Sequence, residues 1–250
     1  MSQSEIDTIL ILFHLGGYSC LKHFYVTHIC TNMKTDFPNR VSYNRFVELQ
    51  KNAIIMLTCY LKDKLLGKCQ GISFVDSTRL TVCKNQRIHN HKVFNGIAER
   101  GKSSMGWFYG FKLHITCNDK GEIMSFVLTP GNVDDRNPLT ESSLLEKIFG
   151  KLFADKGYIS KTLFDKLFVD GIHLFTTVRN NMKDRYMTNN DRIILRKRSI
   201  IESVNDELKN ICQIEHSRHR SFHNFIANLI SGIAAYCLLP KKPSIFVNIE

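Results

Sequence analysis

Five β-rich runs, at residues 72–82, 108–117, 123–128, 152–154 and 173–178, constrain the fold of this chain more than any other feature. Asn118-Asp119-Lys120-Gly121, between the second and third runs, is a strong hairpin signal. The loop Thr129-Pro130-Gly131-Asn132 follows, and then a helix over about residues 138–149. The fourth run leads into a helix starting near Ser160, which can cap it. The order β-β-β-α-β-α-β-α predicts an α/β domain: a mixed sheet, three antiparallel strands first and parallel crossovers later, flanked by helices.

Ahead of the sheet, residues 1–66 read as an all-helical region. Ser4 can cap a segment with apolar residues from 6 to 15, Gly16-Gly17 breaks it, and helical patterns resume over about 18–33 and 43–65. Asp36-Phe37-Pro38-Asn39 is the turn between them. DNA binding and simple packing are equally good readings of this region. Near the other end, residues 222–239 form an apolar helix stopped by Pro240, whose ordinary role is core packing, and 241–250 is a tail. Neither an internal repeat nor a low-complexity tract is visible.

Lysine and arginine total 34 against 23 acidic residues, a net charge of +11 with a pI near 9.3, which fits a partner rich in phosphate. Between positions 83 and 102, Lys84, Arg87, Lys92, Arg100 and Lys102 face only Glu99, so the stretch reads as a phosphate-contacting loop. The eight cysteines are scattered without a C-x-x-C pair, which argues against a zinc knuckle or disulfide framework and for buried free thiols. No apolar run is long enough to cross a bilayer and no secretory signal opens the chain, so a soluble cytoplasmic protein is expected.

Three carboxylates stand out. In Ile72-Ser73-Phe74-Val75-Asp76-Ser77-Thr78, period-two alternation puts Asp76 at the end of the apolar face that carries Ile72 and Phe74. An unpaired charge there is costly, so Asp76 should be a cap, an ion-pair partner or a metal ligand. Asp155 repeats the pattern after Leu152-Phe153-Ala154, just before Gly157, and ligands of open α/β sheets gather at such carboxyl ends. Taken singly, each aspartate is more often a turn or helix cap. Glu202 lies on a helix whose Ile200, Val204, Leu208 and Ile211 form one stripe, with Arg198, Glu202 and Lys209 within roughly 40° of one another on the opposite side. Alone, an Arg198–Glu202 ion pair on a solvated face would explain it. The cations Arg192, Arg196 and Lys197 before it, and Arg218, His219 and Arg220 after it, favour a phosphate lane around the glutamate.

Two strands and a helix supplying three carboxylates suit Mg²⁺ or Mn²⁺, hard ions that prefer oxygen ligands. Two such ions about 3.5–4 Å apart can clamp the attacking and leaving oxygens of a phosphodiester.

Phe74-Val75-Asp76-Ser77-Thr78, Ala154-Asp155-Lys156-Gly157-Tyr158 and the Glu202 helix, in that order, resemble the DDE transposases of bacterial insertion sequences. The resemblance spans about residues 71–221, and Glu215-His216-Ser217-Arg218-His219-Arg220-Ser221 with Gly131-Asn132-Val133-Asp134-Asp135 is most similar to the insertion-sequence family numbered nine-eighty-two. It implies an RNase H-like catalytic domain over 67–240, with Asp76, Asp155 and Glu202 binding two divalent ions, Mg²⁺ or Mn²⁺. It implies water-driven cleavage at the element's ends and attack of the freed 3′-hydroxyl on target DNA, without a covalent protein–DNA intermediate or a nucleotide cofactor. The partners it implies are double-stranded terminal repeats and target DNA, bound by a homodimer or higher assembly, with no membrane. Related enzymes carry a tyrosine, then an arginine, a glutamate and a lysine at fixed spacing: Arg198, Glu202 and Lys209 match, while Leu195 stands at the tyrosine position. Arg198 and Lys209 would bind phosphate or steady Glu202. Relatives tend to carry further helical sequence before the position of Met1, so a truncated N-terminal region is an expectation.

Other residues carry weaker signals. His219 and His223 have helical zinc spacing but lack the protease glutamate and are flanked by cations, so phosphate contact is the better functional reading. His89 and His91 read as loop or DNA-contact residues. Asp134 and Asp135 could supply a fourth carboxylate, but the turn residues on either side favour turn and capping duty, and they are left out of the catalytic set. Trp107 could stack on an extruded base, although burial at the start of a strand is the commoner fate. Two rival functions stay open: an RNase H-like nuclease or resolvase using the same carboxylates with water alone, and a non-catalytic DNA-binding relic of a transposase. A serine or tyrosine recombinase, which would leave a covalent adduct, is more distant.

Overall fold

The computed structural model describes residues 1–141, 143–177, 187–215 and 219–245. In chain order its elements begin with helices α1 (Gln3–Leu15), α2 (Leu21–His23), α3 (Tyr43–Leu49) and α4 (Ala53–Tyr60). Strands β1 (Ile72–Cys83), β2 (Glu99–Ser103), β3 (Gly106–Asn118) and β4 (Ile123–Pro130) follow, then α5 (Asn137–Glu141), β5 (Gly150–Ala154), α6 (Lys161–Val169) and β6 (Ile172–Thr176). Helices α7 (Asn189–Arg196), α8 (Ser199–Asn210) and α9 (Phe222–Leu238) complete the set. These elements form two compact units: Leu66–Asn90, Gly96–Asn205 and Lys241–Glu250 make the sheet unit, and Met1–Leu65, His91–Asn95 and Asp206–Pro240 the helical unit.

In the sheet unit β3 is the longest strand. It pairs antiparallel with β1 along one edge, and along the other with β2 near its start and with β4 over Phe111–Cys117. β1 then pairs in parallel with β5, and β5 with β6, giving the order β2-β3-β1-β5-β6 with β4 also on β3. All five expected runs are strands, and the mixed α/β architecture flanked by helices is as expected. β2 is an addition. Its sequence, Glu99-Arg100-Gly101-Lys102-Ser103, has no apolar residue to alternate, so no strand signal is present; charged residues are what an edge strand carries. The supposed basic loop at 83–102 therefore contains a 3₁₀ turn (Asn85–Asn90) and this strand.

The parallel strands are buried on both faces. Val75, Leu152, Ala154 and Leu174 point to one face and pack with Leu163 and Leu167 of α6. Phe74, Phe153 and Phe175 point to the other and stack in a row, with ring centroids 5.6 and 5.1 Å apart. Lys151 shares this second face by alternation and pairs with Asp191 of α7 at 2.6 Å, so α7 covers it. The helix expected over 138–149 is shorter: α5 ends at Glu141, and a 3₁₀ turn at Ser143–Leu145 follows, which lets adjacent Leu144 and Leu145 both reach the core. Of the last expected strand, Val178 lies outside the described residues.

In the helical unit α9 is the central element, with Phe225, Leu229, Ile233, Ala234 and Tyr236 buried around its circumference and α1 and α4 packed along it. The Ser221 hydroxyl caps α9 by accepting the Asn224 amide at 3.2 Å. Gly232 leaves the room Ile214 occupies, since a Cβ there would lie 2.4 Å from Ile214 Cγ2. The cap of α1 is Ser2, not Ser4: Ser2 accepts from the Glu5 amide, and Glu5 accepts the Ser2 amide in return. Only Cys117 and Cys212 among the free cysteines are fully buried, fewer than expected. No described helix is long and apolar enough to cross a membrane.

Candidate active site

Gly71 and Gly150, both at positive φ (91° and 81°), start the two parallel central strands, and the Lys151 amide donates to the Gly71 carbonyl at 2.8 Å. A Cβ on Gly150 would lie 2.6 Å from that same carbonyl oxygen, so only glycine allows the approach. The parallel register then runs Ile72↔Lys151, Ser73↔Leu152 and Phe74↔Phe153, and there the pairing stops. Continued by two residues, it sets Asp76 opposite Asp155, on the phenylalanine face and beyond the last shared hydrogen bonds. β1 itself runs on, held by β3, with Asp76 paired to Ile115.

Asp155 caps the 3₁₀ turn Lys156–Tyr158, its Oδ1 accepting the Gly157 amide at 2.6 Å. A Cβ on Gly157 would lie 2.8 Å from that oxygen, so a side chain there would have to push the Asp155 carboxylate aside. The capping reading of Asp155 is thus correct for one carboxylate oxygen. Helix α8 supplies the third acid. Ile200, Val204 and Leu208 are buried as expected, but Ile211 lies past the helix end and is 47% exposed. Glu202 is exposed, and Arg198 donates to its Oε1 at 2.7 Å, the expected pair one turn apart. Asn205, one turn further along α8, donates its Nδ2 to Asp76 Oδ2 at 3.2 Å and ties the helix to the strand.

Burial is the main force on Asp76 and pushes its pKa up from 3.8 to about 6; Asp155 and Glu202 push the same way, while the Ser77 amide and Arg198 oppose them. Asp155, Glu202 and Arg198 therefore all act electrostatically on Asp76. The same neighbourhood contains groups that sequence reasoning passed over. Tyr158 is 2% exposed, and burial, with Asp76, Asp135 and Asp155 adding to it, holds its phenol neutral well above the ordinary range. Asp135 accepts from Ser77 Oγ at 2.9 Å and pairs with Lys112 at 3.0 Å, so it is more than a turn residue. Lys112 also donates to the Val133 carbonyl at 2.8 Å. Asp134 does keep turn duty: the hydrogen bonds of the Arg136 side chain hold its carboxyl at about 2. Helical period would have found Asn205, which lies about 20° from Arg198 around α8. Nothing local marks Asp135, whose partner Ser77 is 58 positions away.

The expected DNA-contacting residues are spread more widely. Lys84 and Arg87 are exposed in the sheet unit, on and just before the Asn85–Asn90 turn, whereas Lys92 is exposed within the segment that belongs to the helical unit. Lys209 pairs with Glu215 at 3.2 Å. His219 packs edge-on against Phe225, with ring centroids 5.6 Å apart, and Arg220 and His223 are exposed. Arg218 lies outside the described residues. His89 is exposed, and His91 stacks on Phe94. Leu195 is largely buried in α7, an apolar position in the helix that covers the phenylalanine face.

Among the described residues no three His, Cys, Asp or Glu side chains stand close enough together to hold a metal ion as they are placed. The chemistry of the donors nonetheless fits a hard divalent cation. Asp76, Asp155 and Glu202 offer carboxylate oxygens only, and Asp76 is half-buried beside like charges that a cation would neutralise. Glu202 is turned to Arg198 and would have to leave that pair to join the other two.

A mixed sheet that carries Asp76 within one central strand and Asp155 just past the end of its parallel neighbour, with Glu202 acting on Asp76 from a helix, defines a carboxylate-centred α/β domain. The family model described as transposase DDE domain matches residues 66–222, more than half of the chain, and the chain belongs to that family. It is a DNA transposase, and DNA is its partner. No curated protein and no solved structure matches it.

Proposed function

We propose that this chain cuts DNA at the ends of an insertion sequence and joins the freed 3′-hydroxyl to target DNA, with Asp76, Asp155 and Glu202 as the catalytic carboxylates of an RNase H-like domain. The observation that carries this reading is the electrostatic convergence of Asp155 and Glu202 on half-buried Asp76, within the residues that match the transposase family. The three carboxylates would hold two divalent ions, Mg²⁺ or Mn²⁺. Bound there, such ions polarise the scissile phosphate and lower the pKa of the attacking water or hydroxyl.

The chain's own groups divide the remaining work. Asn205 orients Asp76 through its amide, and the Gly157 amide fixes one oxygen of Asp155. Arg198 steadies Glu202 and, once Glu202 turns to the metal, is free to hold a phosphate oxygen. Lys209, Lys84, Arg87, Lys92, Arg218, His219 and Arg220 would contact backbone phosphates. Joining two element ends calls for two sites, hence at least two copies of the chain on DNA.

The test compares the protein with its Asp155→Asn variant on a supercoiled plasmid carrying the element's terminal repeats. Asparagine caps a helix as well as aspartate, so the fold should survive. Expected are nicking at the ends and strand-transfer products that require Mg²⁺ or Mn²⁺ and vanish in the variant. Cleavage that survives the substitution would overturn the site, and end cleavage without strand transfer would favour a nuclease.

A further inference from the structure

The sheet unit carries a second cluster of nucleic-acid chemistry away from the carboxylates. Trp107, the chain's single tryptophan, is 57% exposed rather than buried at the start of its strand, and Met105 beside it at the hairpin tip is 78% exposed. Two cations lie over the indole: Arg100 is 5.8 Å and Lys102 5.9 Å from the ring centroid. Register explains this. Lys102 is directly opposite Trp107 across the β2–β3 ladder, Arg100 is on the same face two residues on, and alternation turns Glu99 to the opposite face. Beside the ring lies a cavity of about 460 Å³ lined by Arg79, Lys84, Asn85, Trp107 and Phe108, among others. The Asn85 amide donates to the Trp107 carbonyl at 2.8 Å and fixes the cavity wall to the hairpin.

We infer that the β2–β3 hairpin is a nucleobase-stacking site that takes an unpaired base of DNA on Trp107; the choice of DNA rests on the transposase reading above. An exposed indole framed by cations binds a base by stacking while Arg and Lys hold the adjoining phosphates, and single-stranded nucleic acid is bound in this way without sequence readout. The cavity, with Arg79, Lys84 and the Asn85 side chain at its wall, gives the backbone of that strand a basic path. Ile115, the partner of Asp76, is eight residues along β3 from Trp107, on the order of 25 Å of strand. The stacked base therefore lies on the order of 25 Å from the carboxylates, in DNA that has come apart before or after cleavage.

Because Trp107 is the chain's only indole, its fluorescence reports on stacking directly. The experiment titrates the full chain, in chelator, with a labelled 20-nucleotide single strand and with the corresponding duplex, following both Trp107 emission and label anisotropy. The single strand should quench the emission saturably, and Trp107→Ala should weaken single-strand binding by about tenfold or more while leaving duplex affinity unchanged. Trp107→Phe, which keeps a π-face, should retain most of the affinity. Single-strand binding with unquenched emission, or full affinity in Trp107→Ala, overturns the site and leaves the transposase reading intact. Absence of binding to either DNA overturns both.

Discussion

Asp76 sits where burial and two neighbouring acids resist its ionisation, and the sign of the consequence follows. With its pKa raised from 3.8 to about 6, this group contributes stability that is complete below pH 4 and is lost as pH rises through 6. Asp76→Asn removes that loss, so the metal-free variant should melt a few degrees above the parent at pH 7.5, and the gap should close by pH 4. Mg²⁺ should raise the melting temperature of the parent and not of the variant. A variant that melts lower at pH 7.5 would show the Asp76 charge to be well compensated. Asp76 and Asp155 were legible as candidates because the first ends an apolar alternating face and the second follows a short apolar run. Asp135 was not, since its meaning depends on a partner 58 positions away that only the fold brings near; helical period places Asn205 on the Arg198 face but does not give its partner, 129 positions away.

At the scale of elements, legibility followed the amount of apolar periodicity. β1, β3, β4, β5, β6 and α9 all carry it and were readable within a few residues. β2 carries none, because an edge strand can spend every side chain on charge, and with it the exposure of Trp107 was hidden. The two strand-starting glycines were equally silent, since the need for them is a close approach between backbones 79 positions apart in sequence. Gly150→Ala puts a Cβ at positive φ and 2.6 Å from the Gly71 carbonyl oxygen. It should cost about 1–3 kcal/mol in urea unfolding, and lower end cleavage further by displacing Asp155. Unchanged stability would mean that the β1–β5 junction relaxes freely.

The whole molecule carries a net charge of +11, most of it without acidic neighbours in sequence, and its DNA affinity should be governed by counterion release. Between 50 and 200 mM salt, anisotropy with a labelled duplex should show a fall of at least about tenfold; a flat salt response would mean that few phosphates are contacted. Chemistry and affinity are therefore separable properties of the chain, and the strand starts show how narrowly the first is gauged. Gly71 precedes Asp76 by five residues, as 76 − 71 shows, and Gly150 precedes Asp155 by the same five, 155 − 150. The two arms are equal, and because side chains alternate, losing one residue from either arm would swing its aspartate to the far side of the sheet. Such a shortened copy would keep its cations and still occupy element ends that it could not cut, and so become a competitor of its own parent.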